Sequence, residues 1–440
     1  MVSGVSEIES VKNRKVLLGI GFWVQGLRCF PLMGVSFFLK DGLKVDPSTL
    51  QILQSSSNLP MVAKPFYGLI SDSFYIFGQH RVPYIAIGAF LQAISWIAIA
   101  ILPTSSISFF SITIYLILGN LGASIVEVAN DAIVAETAKQ STSSKTSKPS
   151  SSGQLQSFVW MASSIGGVLG NLIGGIAITN FSPQTMFLVY GILLGFQFLI
   201  TVFIRENSLD LPRSQSHIGF RKQFSELLIA LKKPEILYSI LWFSLSYAVI
   251  PALTGTMFYY QTQHLNLESS LLGFSKVCGQ AAMLLWGVVY NRHLKSISSR
   301  KLISAVQISM AVFMLSDLLF VNGVYRKMGL PDSIYVVVFS GLLEVLYFFK
   351  ILPFTVLMAQ LCPPGCEGSV MAFVMSAIAL AFIVNGYLGV ALASYVGVTG
   401  DDFSGLPKAL LIQAACTILP LFWASYIPDD VKSETKRKEN

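Results

Sequence analysis

Residues 64–81 read KPFYGLISDSFYIFGQHR. The stretch opens with Lys64 near the end of an otherwise apolar run over 49–70 and continues into a polar, glycine-punctuated turn carrying Asp72, Gly78 and Arg81. A lysine in that place either snorkels to a membrane surface or belongs to a polar pathway inside the membrane. Both readings presuppose that the neighbouring segments cross lipid, so the rest of the chain decides what the stretch is.

The 440 residues are 53% hydrophobic and only 12% charged, against about 25% charged in an ordinary soluble domain. That is too little charge to cover a water-exposed surface. Apolar windows of about 20 residues, the length that crosses a hydrocarbon core of about 30 Å, recur along the whole chain. The net charge of +7 does not point to nucleic acid, because the basic residues fall in short loops and form no stripe with interleaved aromatics.

Twelve spans are predicted, over 15–39, 49–70, 83–103, 107–130, 154–179, 185–204, 236–259, 269–291, 302–322, 334–360, 369–396 and 406–427. They are read as helices because lipid forces each segment to satisfy its own backbone groups. The longest internal polar stretch, 205–235, divides them into an N-terminal six-helix half over 1–204 and a C-terminal half over 236–427, with a tail at 428–440. The Ser-rich insert 139–153 reads as a solvated linker. Of the 30 basic residues, only Lys40, Lys44, Arg326, Lys327 and Lys408 fall in loops on the far side, four lie within spans, and the remainder share the side of the N-terminus. The positive-inside bias therefore predicts that the central loop and both termini are cytoplasmic, or stromal in a plastid.

The four basic residues within spans are Arg28, Lys64, Lys276 and Lys350, and the acids there are Glu127, Asp131, Asp317 and Glu344. A charge at mid-membrane costs about 2.5–3.5 kcal/mol on insertion scales, so such groups face a bundle interior or a wet cavity and pair with one another. Each half is neutral within itself, and a lysine on spans two and eight with a glutamate on spans four and ten suggests a repeated half. Gln25 adds a polar group beside Arg28, and Asn120, Asn130, Asn171, Gln280 and Asn385 have hydrogen bonding across helices as a further reading. The charges equally fit ion pairs that fix helix register without touching a substrate. On the fifth span Gly166, Gly170 and Gly174 recur every fourth residue, a close-packing face.

Other chemistry is missing. The histidines at 80, 217, 264 and 293 have no metal-ligand spacing, and Cys362 and Cys366 in CPPGC lack a second pair. No phosphate loop, GxSxG elbow or HExxH pair is present. Neither an enzyme, a cofactor nor a resident metal is expected.

Gly68, Asp72, Gly78 and Arg81 resemble the loop between spans two and three of the major facilitator superfamily. Extended to KPFYGLISDSFYIFG at 64–78, the match is to the folate-biopterin transporter family of plants, cyanobacteria and trypanosomatids. VQG at 24–26, SFFLKDGL at 36–43, DAIVAE at 131–136, GQLQSFVW at 153–160 and LCPPGCEGSVMAFVMS at 361–376 resemble the family in the same order. Glu127 stands where the family usually has aspartate, Thr137 where it has a basic residue, and Ala379 where it has asparagine.

The resemblance implies an all-α, polytopic major facilitator fold, with twelve helices in two pseudo-symmetric six-helix bundles. It also implies a monomeric secondary transporter of folates or pterins working by alternating access, with protons as a candidate coupling ion. Substrate contacts are then expected from Gln25, Arg28, Glu127, Lys276, Glu344 and Lys350, and coupling or gating from Lys64, Asp72, Arg81, Asp131 and Asp317. A carrier of another organic anion or small metabolite, or a non-transporting receptor of this fold, is the alternative. The plasma membrane, the plastid envelope and other internal membranes all remain open as its location.

Overall fold

The computed structural model describes residues 2–103, 107–143, 150–209, 225, 228–229, 231–294, 297–361 and 367–428. Most of the central loop, Cys362 and Cys366, residues 144–149 of the Ser-rich insert and nearly all of the tail lie outside the described residues. Those described fold into helices, and among them the only β-type pairing is an isolated bridge between Ile76 and Gln79.

Ten helical segments are long and apolar enough to cross a membrane. Their exposed faces are apolar as well. On α9 (Pro183–Phe203) the outward stripe is Val189, Ile192, Phe196, Leu199 and Phe203, while Met186, Phe187, Tyr190, Leu194 and Gln197 are buried. A helix that is apolar on both faces finds its solvent in lipid.

The two remaining expected spans are present but broken. The second runs as α3 (Pro47–Ser57), α4 (Leu59–Val62) and α5 (Lys64–Ser73). Pro60 and Pro65 fall at its two restarts, where a missing N–H costs least. The seventh, α10 (Pro234–Ala248) and α11 (Thr254–Tyr259), is interrupted around Pro251. Backbone groups freed inside a membrane need new partners, and the side chain of Gln51 on α3 supplies them: its Nε2 donates to Ala252 O and Gly386 O, each at 2.6 Å, and its Oε1 accepts from Gly255 N at 2.8 Å.

The chain divides into two compact units, Met1–Phe38 with Ala63–Phe224, and Leu39–Val62 with Ser225–Asn440. The first part of the second span, through Val62, placed in the first half by sequence, therefore packs within the second unit. Gln51 ties it there, and Tyr259 donates to Val45 O.

The first unit contains α1 (Val2–Leu27), α2 (Cys29–Phe37), α5, α6 (Val82–Ile101), α7 (Phe109–Ser143), α8 (Ser150–Asn180) and α9. Leu17, Leu18, Val82, Ile85, Val126, Ile133 and Val159 form one of its cores. Gly166, Gly170 and Gly174 of α8 face the backbone of α1 and α2, and a Cβ added at Gly166 or at Gly26 opposite would overlap a carbonyl oxygen of the facing helix. In the second unit α12 (Ser269–Val289), α13 (Ser299–Val321), α14 (Gly341–Phe349), α15 (Ile351–Leu361), α16 (Glu367–Tyr395) and α17 (Leu406–Ile418) join α3, α4, α10 and α11. Ile240, Phe243, Tyr247, Phe354, Met358 and Val374 lie in its core.

Candidate functional site

Two of the in-span cations sit at helix breaks of the same design. Arg28 separates α1 from α2 in the sequence RCFP, and Lys350 separates α14 from α15 in KILP. In each case the proline three residues on has no N–H, so the carbonyl four residues before it loses its helical donor. At the second break that carbonyl, Phe349 O, accepts from Trp286 Nε1 at 3.1 Å instead.

In the first unit the break turns Arg28 toward α7. Its Nη1 lies 3.5 Å from Glu127 Oε1, and its Nη2 donates to Asn120 Oδ1. Lys64, the first residue of α5, donates to Glu127 Oε2 at 2.6 Å. Gln25, nearly one turn before Arg28, lies close to the Glu127 carboxylate. One carboxylate thus holds two cations, one from the break between α1 and α2 and one from α5. All three charged side chains keep some exposure, 11–24%, so the cluster is neither sealed nor freely solvated. Asp131, one turn further along α7, is exposed and within electrostatic range of Glu127 and Lys64.

A second charge set forms in the loop between α5 and α6. The Arg81 guanidinium meets Asp72 Oδ1 at 2.5 Å and Glu136 Oε1 at 2.7 Å, and donates to Ser71 Oγ. Glu206 Oε2 accepts from the backbone N–H of His80, Arg81 and Val82 at 2.7–3.1 Å, placing an anion on the N-terminus of α6. Burial and the neighbouring Arg81 hold the His80 imidazole below its ordinary value. Sequence reasoning found Asp72 and Arg81 but missed Glu136 and Glu206. Glu136 closes the DAIVAE motif, and that was the available signal.

The second unit is arranged differently. Lys276 on α12 and Glu344 on α14 pair at 3.4 Å with side chains 43% and 56% exposed. Lys350 is fully buried: its Nζ donates to Gln307 Oε1 at 2.6 Å and Ser246 Oγ at 3.0 Å, and stands 3.9 Å from the centre of the Tyr247 ring. Asp317, also buried, accepts from Tyr335 Oη at 3.0 Å. Among the described residues no opposite charge lies within ion-pair distance of either Lys350 or Asp317. The structure therefore joins Arg28, Lys64 and Glu127, with Gln25 close by, joins Asp72 with Arg81, joins Lys276 with Glu344, and leaves Lys350 and Asp317 on neutral partners.

Helices apolar on both faces, broken at proline and carrying buried charge clusters, define a multi-pass membrane protein. Its backbone resembles that of the solved D-xylose-proton symporter, with TM-score 0.68 and 15% identity over 96% of this chain and 99% of that one, and the fold is the major facilitator fold. The chain belongs to the BT1 family, which it matches over residues 25–440. It is 62% identical to probable folate-biopterin transporter 7 of Arabidopsis thaliana, over 96% of this chain and 95% of that protein. It is 42% identical to the same plant's probable folate-biopterin transporter 8, chloroplastic, over 97% and 79% respectively.

Proposed function

We propose that the protein is a secondary transporter that carries folates or pterins across a membrane by alternating access. The family membership and the names of its relatives support the substrate class. The observation that carries the mechanism is the Arg28–Glu127–Lys64 cluster, two cations held by one carboxylate whose side chain is only 11% exposed. A folate presents glutamate carboxylates and a flat, hydrogen-bonding pterin ring. Its carboxylate competes with Glu127 for Arg28 and Lys64, and Glu127 or Asp131, once released, accepts from the ring's amino groups. The exposed Lys276–Glu344 pair offers a second exchange of the same kind. Lys350 supports the path through the break it occupies, and Asp72, Arg81 and Asp317 serve gating.

Uptake is driven by protons entering with substrate through the in-span carboxylates. The excess of lysine and arginine on the N-terminal side supports both termini lying in the cytoplasm or stroma, and the protein works as a monomer. Labelled folate and pterin should enter cells that lack their own carriers when this chain is expressed, and an imposed inward proton gradient should speed the uptake. Uptake indifferent to the gradient removes the coupling. Arg28→Ala should abolish uptake at unchanged membrane abundance, and normal uptake in that variant would return the cluster to a purely structural role.

A further inference from the structure

Outside the charge clusters, the described part of the first unit has a cavity of about 310 Å³ between α1 and α8, bordered by Gly19, Ile20, Trp23, Phe158, Met161, Ala162 and Ile165. That is near the lower end of the roughly 300–1,000 Å³ typical of ligand pockets, and its lining is apolar throughout. Its shape follows from the helix packing. At Gly26 and Gly166 the two backbones touch so closely that neither position has room for a Cβ. The groove runs beside this contact, from Trp23 to Gly19 on α1 and from Ile165 to Phe158 on α8, with Met161 and Ile165 exposed along its edge.

The same stripe of α1 continues downward into charge. Lys15 and Lys12 precede Gly19 by four and seven residues, one and two turns along the same helix face. Both are exposed, and among the described residues neither lies within ion-pair distance of a carboxylate. The apolar segment containing them runs from Ser10 to Gly42, 33 residues. At 1.5 Å per residue that is about 50 Å, against a hydrocarbon core of about 30 Å. The surplus is long enough for the first turns, with both lysines, to reach headgroup level.

We propose that this groove is a binding site for one anionic phospholipid, an acyl chain lying between α1 and α8 and the phosphate held by Lys12 and Lys15. The occupant follows from the order of the surfaces: a narrow apolar slot inside the hydrocarbon, and two cations where the headgroup lies. A polar solute has no partner in the slot. A second protein copy would bring bulk the slot does not admit. Basic residues bordering an apolar cleft between spanning helices are the general chemistry of anionic-lipid selection.

The test uses the purified full chain and native mass spectrometry, titrating dioleoyl phosphatidylglycerol and dioleoyl phosphatidylcholine separately. Phosphatidylglycerol should bind about 30-fold more tightly, two lysines at about 1 kcal/mol each. Lys12→Gln/Lys15→Gln should bring the ratio close to one. Ala162→Phe, which fills the slot from an accessible position, should weaken both lipids about tenfold or more. Equal binding of the two lipids by the unchanged chain overturns the proposal. So does a preference that survives in the lysine double variant, or binding that Ala162→Phe leaves intact.

Discussion

The two units handle their least exposed charges in different ways. In the first, charges answer charges: Glu127 holds Arg28 and Lys64, and Arg81 holds Asp72 and Glu136. In the second, the buried ones rest on neutral groups, Lys350 on Gln307, Ser246 and the Tyr247 ring, Asp317 on the Tyr335 hydroxyl. The difference teaches where a substrate's charge has a partner to displace. An ion pair can be exchanged for another of the same sign, whereas an amine on amide and hydroxyl oxygens has no anion to give up. The first unit is built for exchange, and the Lys350 site is built to hold a broken helix in place.

The largest effect should come from the centre of the paired cluster. Glu127→Ala strands two cations at once, and removing one partner of a buried pair costs about 3–5 kcal/mol. We expect that loss in the denaturant-unfolding free energy of the purified protein, together with loss of uptake. Glu127→Gln combined with Lys64→Met leaves a single cation on amide partners and should recover most of the stability but not the uptake. A double variant no more stable than Glu127→Ala would mean that the three charges are not energetically coupled, and the contrast between the units would fail.

Lys350→Met should have a smaller effect. The replacement keeps the length and removes the amine, leaving Gln307 Oε1 and Ser246 Oγ with a donor missing, a cost of about 1–3 kcal/mol for the unsatisfied buried group. Methionine still packs on Tyr247 and recovers part of it. A loss as large as that of Glu127→Ala would show that Lys350 answers an anion after all, making the two units alike.

Much of this contrast was legible in the sequence, and the rest was hidden for a physical reason. Lipid charges so much for an ionised side chain that Arg28, Lys64, Glu127, Asp131, Lys276, Asp317, Glu344 and Lys350 announce themselves against an apolar background. The glycine face of α8 announces itself by spacing. Hydropathy, however, sums side chains, while a helix break is a backbone event. The interruptions of the second and seventh spans disappeared into the average, although Pro60, Pro65 and Pro251 were in view. Gln51 escaped notice because its partners, Ala252, Gly255 and Gly386, are about 200 and more residues away. Which charges would pair was likewise a question of distance in space: RCFP and KILP look alike, yet one arginine found a carboxylate and one lysine found an amide.

The smallest effect probes the paired side at its edge, through a group that carries no charge of its own at neutral pH. His80 stacks on Tyr75 with ring centres 4.8 Å apart and lies beside Arg81, with Asp72, Glu136 and Glu206 around them. Burial and the Arg81 guanidinium disfavour the protonated ring, so its folded-state value lies below that of the unfolded chain, about 6.5. The neutral ring's contribution is then fully present above about pH 6.5 and is lost as pH falls through the lowered folded-state value. Thermal unfolding at pH 7 and pH 5 should show a larger drop for the unchanged protein than for His80→Gln, which cannot charge. Arg81→Gln should shrink the difference, since it removes one of the two causes and leaves burial alone. If His80→Gln loses as much on acidification as the unchanged protein, the acid sensitivity comes from carboxylates such as Asp72 and Glu136, and the imidazole is a bystander in the charge set it touches.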